Sequence, residues 1–256
     1  MENKHKKINV GGLFFDNVTL DEALLLIEEK LEKNKTKKTE LVALANQDII
    51  NQVRKVAGLT TDKINKNSFL ILPDGFSIVL ASRLLGTSLK ERVAGPDLME
   101  SLLAFSNKKG YKSFFLGAKE NVSYALCERV KKRFPKLKIS GRYSPPFGNF
   151  SKKENDKMIA MINRSKADFL WVSFGCPKQE KWILDNIEKI KVPLSFGIGA
   201  AFDFLSGSLL RAPKVIRKLK LEWLYRLMQE PKRLWKRYFY GGLGFLFIIL
   251  KQKFFR

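Results

Sequence analysis

Histidine and cysteine are almost missing from this chain of 256 residues: His5, in a lysine-rich N-terminal stretch, and Cys127 and Cys176 are its complement. These three side chains cannot build a usual structural zinc site, and a Ser-His-Asp or Cys-His relay would hang on one terminal histidine. A general base is therefore expected to be a carboxylate. Asp-x-Asp is absent, which removes a common metal-diphosphate clamp of nucleotide-sugar enzymes. No G-x-x-x-x-G-K-[ST] occurs either, so a P-loop is excluded. Neither a metal nor a cofactor is expected; arginines, backbone amides or helix N-termini would have to hold any bound phosphate.

Two further absences concern location. Met1 to Val10 has no apolar run of the secretory kind, so the chain is expected to stay cytosolic with reduced thiols. The longest membrane candidate, Tyr238 to Leu250, has 13 residues between Arg237 and Lys251. As a helix it would reach about 20 Å, against roughly 30 Å of hydrocarbon core. It can dip into a bilayer but not cross one.

Acidic residues are also scarce. The net charge is +23, and residues 211–256 carry 13 Lys and Arg against two acids, Glu222 and Glu230. A pI near 10 points to phosphate-bearing partners: nucleic acid, anionic lipid headgroups or a nucleotide-sugar diphosphate. The overall balance, 45% hydrophobic and 29% charged, is that of a folded globular protein.

Thr19-Leu20-Asp21-Glu22 has capping-box spacing, and the stripe Leu20, Ala23, Leu24, Ile27, Leu31 predicts a helix over about 20–34. Ile8 to Asn17 fits a small hairpin before it. Six short apolar runs then alternate with helical patterns: Leu41 to Ala45, Phe69 to Leu72, Ser113 to Leu116, Leu137 to Ile139, Phe169 to Phe174 and Leu194 to Ile198. That rhythm predicts an α/β fold with a mostly parallel sheet flanked by helices. Several runs end in polar or glycine residues (Asn46, Asp74-Gly75, Gly117, Gly175, Gly199), which should gather around one crevice at the carboxyl ends of the strands. A compositional break near Arg211 divides the chain into a body, residues 1–210, and a basic helical appendage, residues 211–256, with an apolar tail.

Pro73-Asp74-Gly75 is a strong turn former in its own right, yet a carboxylate there could also take a proton from an attacking hydroxyl if the site raised its pKa. Gly175-Cys176-Pro177-Lys178-Gln179-Glu180 places Pro177 where a first helical turn begins, aiming amides, Lys178 and Gln179 at the crevice, unless they are merely a solvated helix start. Arg92 to Leu98 is another loop-to-helix start, with Pro96 near the first helical position. Gly197-Ile198-Gly199 begins like a dinucleotide fingerprint, but Phe202 replaces the third glycine. Lys and Arg interleaved with Trp223, Tyr225, Trp235 and Tyr238 suit single-stranded nucleic acid or a membrane interface; the apolar tail favours lipid.

Together these segments resemble the WecG/TagA/CpsF family of bacterial glycosyltransferases. The resemblance rests on Asp74-Gly75, E-R-V-x-G-x-D-L at Glu91 to Leu98, F-F-L-G at Phe114 to Gly117 and G-x-P-K-Q-E at Gly175 to Glu180. It continues with G-x-G-x-x-F-D at Gly197 to Asp203, R-A-P at Arg211 to Pro213, L-E-W-x-x-R at Leu221 to Arg226 and E-P-x-R at Glu230 to Arg233, with Arg237-Tyr238 following. It implies a Rossmann-like body and a membrane-docking C-terminal appendage. The implied reaction is inverting, metal-independent transfer of an N-acetylhexosamine, N-acetylmannosamine or its uronic acid, from a UDP-sugar to a polyprenyl-diphosphate-linked N-acetylglucosamine. Such products enter teichoic acid or other surface polysaccharides.

The same resemblance makes Asp74 the catalytic base and puts Gln179 at the sugar and nucleotide site; Asn46, Arg92, Glu180, Gly197, Gly199 and Asp203 are the further candidates for substrate binding. It also sends Arg226, Arg233 and Arg237 to the diphosphate, and Arg211 is expected with them as a ligand of the diphosphate or the lipid acceptor. Leu44 stands where many members carry threonine, and Lys236 where arginine is common. The expected location is the inner face of the cell membrane, attached peripherally. The expected partners are the UDP-sugar, the lipid-linked acceptor and the anionic membrane surface, without nucleic acid; a homo-oligomer is compatible with the sequence. The competing function is a basic nucleic-acid-binding protein on an α/β scaffold. Truncation after Leu210 is expected to leave a folded, inactive body.

Overall fold

The computed structural model describes residues 5–33 and 39–255. The chain opens on the antiparallel hairpin of β1 (Lys7–Val10) and β2 (Leu13–Asp16). Gly11 and Gly12 form its turn at φ 64° and 93°, the positive pair that lets a two-residue turn follow the twist of its strands. The capping box then closes as expected. Thr19 N donates to Glu22 Oε2 (2.8 Å) and Glu22 N to Thr19 Oγ1 (3.2 Å), starting α1 (Leu20–Lys33). Residue 34, the anticipated helix end, lies outside the described residues.

Strands and helices alternate from there: β3 (Glu40–Ala45), α2 (Gln47–Gln52), α3 (Thr61–Asn67), β4 (Ser68–Pro73), α4 (Phe76–Leu84), α5 (Gly95–Lys109), β5 (Lys112–Gly117) and α6 (Glu120–Arg133). β6 (Lys138–Tyr143), α7 (Lys152–Ser165), β7 (Phe169–Ser173), α8 (Lys178–Asp185), β8 (Leu194–Gly197) and α9 (Ala201–Ser206) complete the body. The six anticipated strands form one sheet in the order β4-β3-β8-β7-β5-β6, with every neighbouring pair parallel.

The strands are apolar on both faces because both faces are covered. Leu41, Ala43 and Ala45 of β3 point into one core, with Ile64, Ile78, Met158 and Ile183 from the helices; Val42 and Leu44 point into the other, with Ile27, Leu102 and Leu126. Pleating alone sorts them, since successive side chains face opposite ways. In the second core Trp171 stacks on Phe196 with ring centroids 4.4 Å apart, and its Nε1 donates to Ser113 Oγ (3.1 Å).

Pro96 occupies the first turn of α5, as its spacing predicted. Pro177 is one residue earlier than expected, at the N-cap of α8 rather than inside its first turn.

After residue 210 come α10 (Lys214–Lys218), α11 (Glu222–Gln229) and α12 (Pro231–Phe254). The anticipated 13-residue apolar tail is the interior of α12, a single 24-residue helix that starts at Pro231, since a proline at the first helical position loses no hydrogen bond. α12 buries Leu234, Phe245 and Ile249, the last two in the core that holds the hairpin and α2. Polar ties fix its register. Asn51 Nδ2 donates to Gly241 O (2.8 Å), Gly11 N to Gln252 Oε1 (2.7 Å), and Gln252 Nε2 to Asn9 O (3.0 Å). Away from that seam, Trp235, Phe239, Leu243, Leu246, Leu250 and Phe254 are exposed at steps of three and four, an apolar stripe open to solvent. No helix among the described residues is long and apolar enough to cross a membrane.

Candidate active site

The carboxyl ends of β3, β4, β5, β7 and β8 open into one cleft of about 1450 Å³. Asn46, Asp74, Gly117, Gly175 and Gly199, which follow or end these strands, all line it. α11 and α12 form an opposing wall with Glu222, Trp223, Arg226, Arg233, Arg237 and Tyr238. Arg92, Gln179, Glu180, Gly197 and Asp203 complete the set of anticipated residues that reach the cleft. His5 is elsewhere, paired with the buried Asp16. Burial raises the thiol of Cys127 to about 11 and that of Cys176 well above its usual value, so neither supplies a thiolate near neutrality.

Asp74 directly follows β4 and is half-buried. Its Oδ1 accepts from Gly95 N (2.9 Å), and its main-chain oxygen accepts from Arg92 Nε (2.8 Å). Burial pushes the carboxyl above the ordinary aspartate range, against the pull of Arg92 and of the Gly95 N–H; Glu222 adds to the rise and Arg226 opposes it. A raised carboxylate pKa is what a base for a hydroxyl proton needs. Leu44, in place of a hydroxyl, lines the cleft beside Gly95 and adds apolar surface near this carboxyl. Asn46 caps α2, its Oδ1 accepting from Asp48 N (2.9 Å) and Ile49 N (3.4 Å); its amide nitrogen is the part left to a ligand.

Gln179 acts as a clamp. Its Oε1 accepts from Gly175 N (3.1 Å) and Gly199 N (3.0 Å), and its Nε2 donates to Glu180 Oε1 (2.8 Å). One side chain thereby fixes the loops after β7 and β8. Gly197 leaves room for it, because a Cβ there would lie 3.0 Å from Glu180 Oε1 and 3.1 Å from Gln179 Cγ. Gln179→Leu removes all three bonds and strands two loop N–H groups; it should lower the unfolding free energy by about 2–3 kcal/mol in a urea titration.

Glu180 is 3% exposed, and its Oε2 is buried without a partner among the described residues. Burial lifts its pKa from 4.5 to about 7, the charge of Asp74 adding to the rise and the Gln179 hydrogen bond opposing it. The folded state therefore holds a proton that the unfolded chain has released. Stability contributed by this group is present below about pH 4.5, falls as pH rises toward 7, and levels off above. Glu180→Gln should flatten that decline by about 3 kcal/mol, the remaining slope including Asp74. Urea unfolding across this window checks it; an equally steep variant would show Glu180 to be no contributor.

The arginines divide into two groups. Arg226 has Glu230 at 3.4 Å and lies over the Phe204 ring (5.3 Å), and its Nε is buried without a partner among the described residues. Arg233 pairs with Glu230 at 2.5 Å and is 58% exposed, while Arg237 pairs with Asp48. These three present cationic groups to the cleft. Arg211, anticipated with them, does not line it. It lies in the link between α9 and α10, where its guanidinium grips Asp97 of α5 through two bonds (2.6 and 2.7 Å) and reaches Glu222 at 3.3 Å. Burial pushes the Asp203 carboxyl up, opposed by Arg226 and Arg233.

Asp48, Glu222 and Glu230 belong to this site although their roles were not assigned from sequence. The signal for the last two was present: they are the only acids among the cations of residues 211–256, and each is ion-paired to an arginine. For Asp48 no local pattern reveals a partner 189 positions away.

Residues 8–256 match the sequence profile of the glycosyl transferase WecG/TagA/CpsF family. Similar proteins include those named N-acetylglucosaminyldiphosphoundecaprenol N-acetyl-beta-D-mannosaminyltransferase from Bacillus subtilis (strain 168) and Staphylococcus aureus (strain MW2). The first is 36% identical over 176 residues, 69% of this chain and 66% of the relative. The second is 28% identical over 230 residues, 89% and 87% of the two chains. The relative of the same name from Bacillus spizizenii is 38% identical over 167 residues, 65% of this chain and 63% of its own. The chain thus aligns with just under two thirds of the length of the two Bacillus relatives. A match over nearly the whole chain, on a parallel sheet whose strand ends and C-terminal arginines share one cleft, establishes that the chain belongs to the WecG/TagA/CpsF glycosyl transferase family.

Proposed function

We propose that this protein transfers N-acetylmannosamine, with inversion and without a metal, from a UDP-sugar to a polyprenyl-diphosphate-linked N-acetylglucosamine. The observation that carries the proposal is the meeting of Asp74 with Arg226, Arg233 and Arg237 in one cleft. Asp74 takes the proton of the acceptor hydroxyl as that oxygen attacks the anomeric carbon. The bond from that carbon to the UDP oxygen breaks, and the arginines offset charge on the departing diphosphate. Donor-sugar identity follows the names of the relatives, which specify an N-acetyl-beta-D-mannosaminyl group; its uronic acid is the other candidate. The unpartnered Glu180 Oε2 offers a bound sugar or nucleotide a hydrogen bond.

α11 and α12, with the link before them, act in this proposal as an appendage that seats the cleft on the inner face of the membrane. The exposed stripe of α12, flanked by Lys232, Lys236, Lys251 and Lys253, has the character of an interfacial helix. The protein should float with vesicles containing anionic phospholipid and release as salt rises; equal flotation with neutral vesicles would oppose an electrostatic contribution. The same cations could meet nucleic acid, but three of the arginines face the cleft, where a diphosphate fits and a polymer strand does not explain Asp74.

The test is incubation of the full chain with single UDP-sugars and a short-chain lipid diphosphate acceptor, followed by product mass. One added N-acetylhexosamine from UDP-N-acetylmannosamine supports the proposal. No product with any donor, under conditions where the protein is folded and vesicle-bound, overturns it.

A further inference from the structure

Arg92 exerts the strongest cationic pull on the Asp74 carboxyl, yet its side chain is turned to other work. Nε donates to the main-chain oxygen of Asp74 (2.8 Å), and Nη1 bonds Glu222 Oε2 (2.8 Å). Glu222 comes from α11, and its side chain is only 8% exposed. Its other oxygen is held by Arg211 Nε (3.3 Å), and Arg211 is itself anchored on Asp97 of α5. Arg217 of α10 also reaches Asp97 (3.4 Å). A chain of alternating charges therefore runs from α5 through the link to α11 and back to the loop that carries Asp74.

We propose that Glu222 is a positioning residue of the transfer reaction: by engaging the Arg92 guanidinium it keeps that cation off the Asp74 carboxyl, so that seating α11 readies the base as well as completing the arginine wall. This rests on the proposed role of Asp74. Without Glu222, Arg92 is free to swing from the main-chain oxygen of Asp74 to its carboxylate, where an ion pair would make Asp74 a weaker base. The other groups that act electrostatically on Asp74 are Arg226 from α11, with Glu180 and Cys176 around the start of α8, and Asp48, Asp203, Arg233 and Arg237 line the same cleft. Of these cations Arg226 is the one that pulls the Asp74 pKa down, and its partner is Glu230 rather than Glu222. The electrostatic directions agree with the geometry: Arg92 lowers the Asp74 pKa and Glu222 raises it.

The experiment follows kcat/KM against pH for the full chain, for Glu222→Gln and for the double variant Glu222→Gln/Arg92→Gln. Asp74 must be ionised to act, so activity falls as pH drops through its pKa. Glu222→Gln should move that acid limb down by about one pH unit and lower the plateau several-fold; the double variant should bring the limb back to at least its original position. A lowered plateau with an unmoved limb would make Glu222 a structural brace only and overturn the proposal. A limb that stays low in the double variant would do so too, because Arg92 would then not be the agent.

A carboxyl-labelled NMR titration of Asp74 in the same proteins gives the reading independently of turnover. If no protein, parent included, transfers sugar, the proposed reaction fails, while the Asp74 titration still decides whether Glu222 controls Arg92. Thermal unfolding identifies a variant that has lost its fold, and Glu222→Asp then replaces Glu222→Gln. A shorter carboxylate that holds Arg92 should keep the limb at the parent's position, and a displaced limb in that folded protein counts against the proposal.

Discussion

Asp74→Asn is expected to cut sugar transfer by about 10²- to 10⁴-fold while leaving the fold and UDP affinity unchanged. The substitution is nearly isosteric. Asparagine can present its oxygen to Gly95 N as Asp74 Oδ1 does, and the Arg92 Nε bond goes to the main chain and does not depend on the side chain. The capacity to accept a proton is what disappears. In the parent protein the rate should rise with pH through the elevated Asp74 pKa and then level, because burial favours the protonated carboxyl; the variant should lose that rise along with its rate. Single-turnover product formation with calorimetric UDP binding checks both halves. Full activity in a folded Asp74→Asn protein would leave the cleft without its base.

Truncation after Leu210 should abolish transfer and also destabilise what remains. Loss of activity follows from the cleft, which would be left without Arg226, Arg233, Arg237 and Tyr238. Loss of stability follows from α12, because Leu234, Phe245 and Ile249 are buried and such side chains contribute about 1.5–3 kcal/mol each. Gln252 also takes with it the bonds to Gly11 and Asn9. The anticipated intact body thus becomes a weakened one, with a lowered melting temperature. Arg226→Gln separates the two effects. It removes a cleft cation whose hydrogen-bond partner among the described residues is Glu230 at 3.4 Å, so activity should fall by about 10²-fold with little change in melting. If the truncated chain kept its activity, the arginine wall would have no part in catalysis.

The parallel sheet was legible because its signal is local. Leu41 to Ala45 and Phe169 to Phe174 read as buried strands from composition and length alone, and their polar or glycine ends marked the cleft. Asp74 was legible for the same reason, as a carboxylate on a turn after such a strand. Arg211 was misplaced because a motif gives residue type and order but not the direction of a long side chain; Asp97 decided that. The reach of α12 was underread because charge and aromatic content broke its apolar pattern at Arg237, while the helix runs on from Pro231. Gln179 illustrates a subtler gap. Its motif put it at the cleft, but only the approach of β7 to β8 shows that its oxygen holds two loops together.

The most direct measurement of the central claim is the anomeric configuration of the product, read from the one-bond carbon–hydrogen coupling in an NMR spectrum. In the proposed mechanism one base acts against one leaving group in a single displacement, so an α-linked UDP-N-acetylmannosamine should yield a β-linked disaccharide on the lipid diphosphate. A β linkage, lost with Asp74→Asn, is the result expected. An α linkage would contradict it, because retention requires a second displacement or a front-side attack that a lone Asp74 base does not provide.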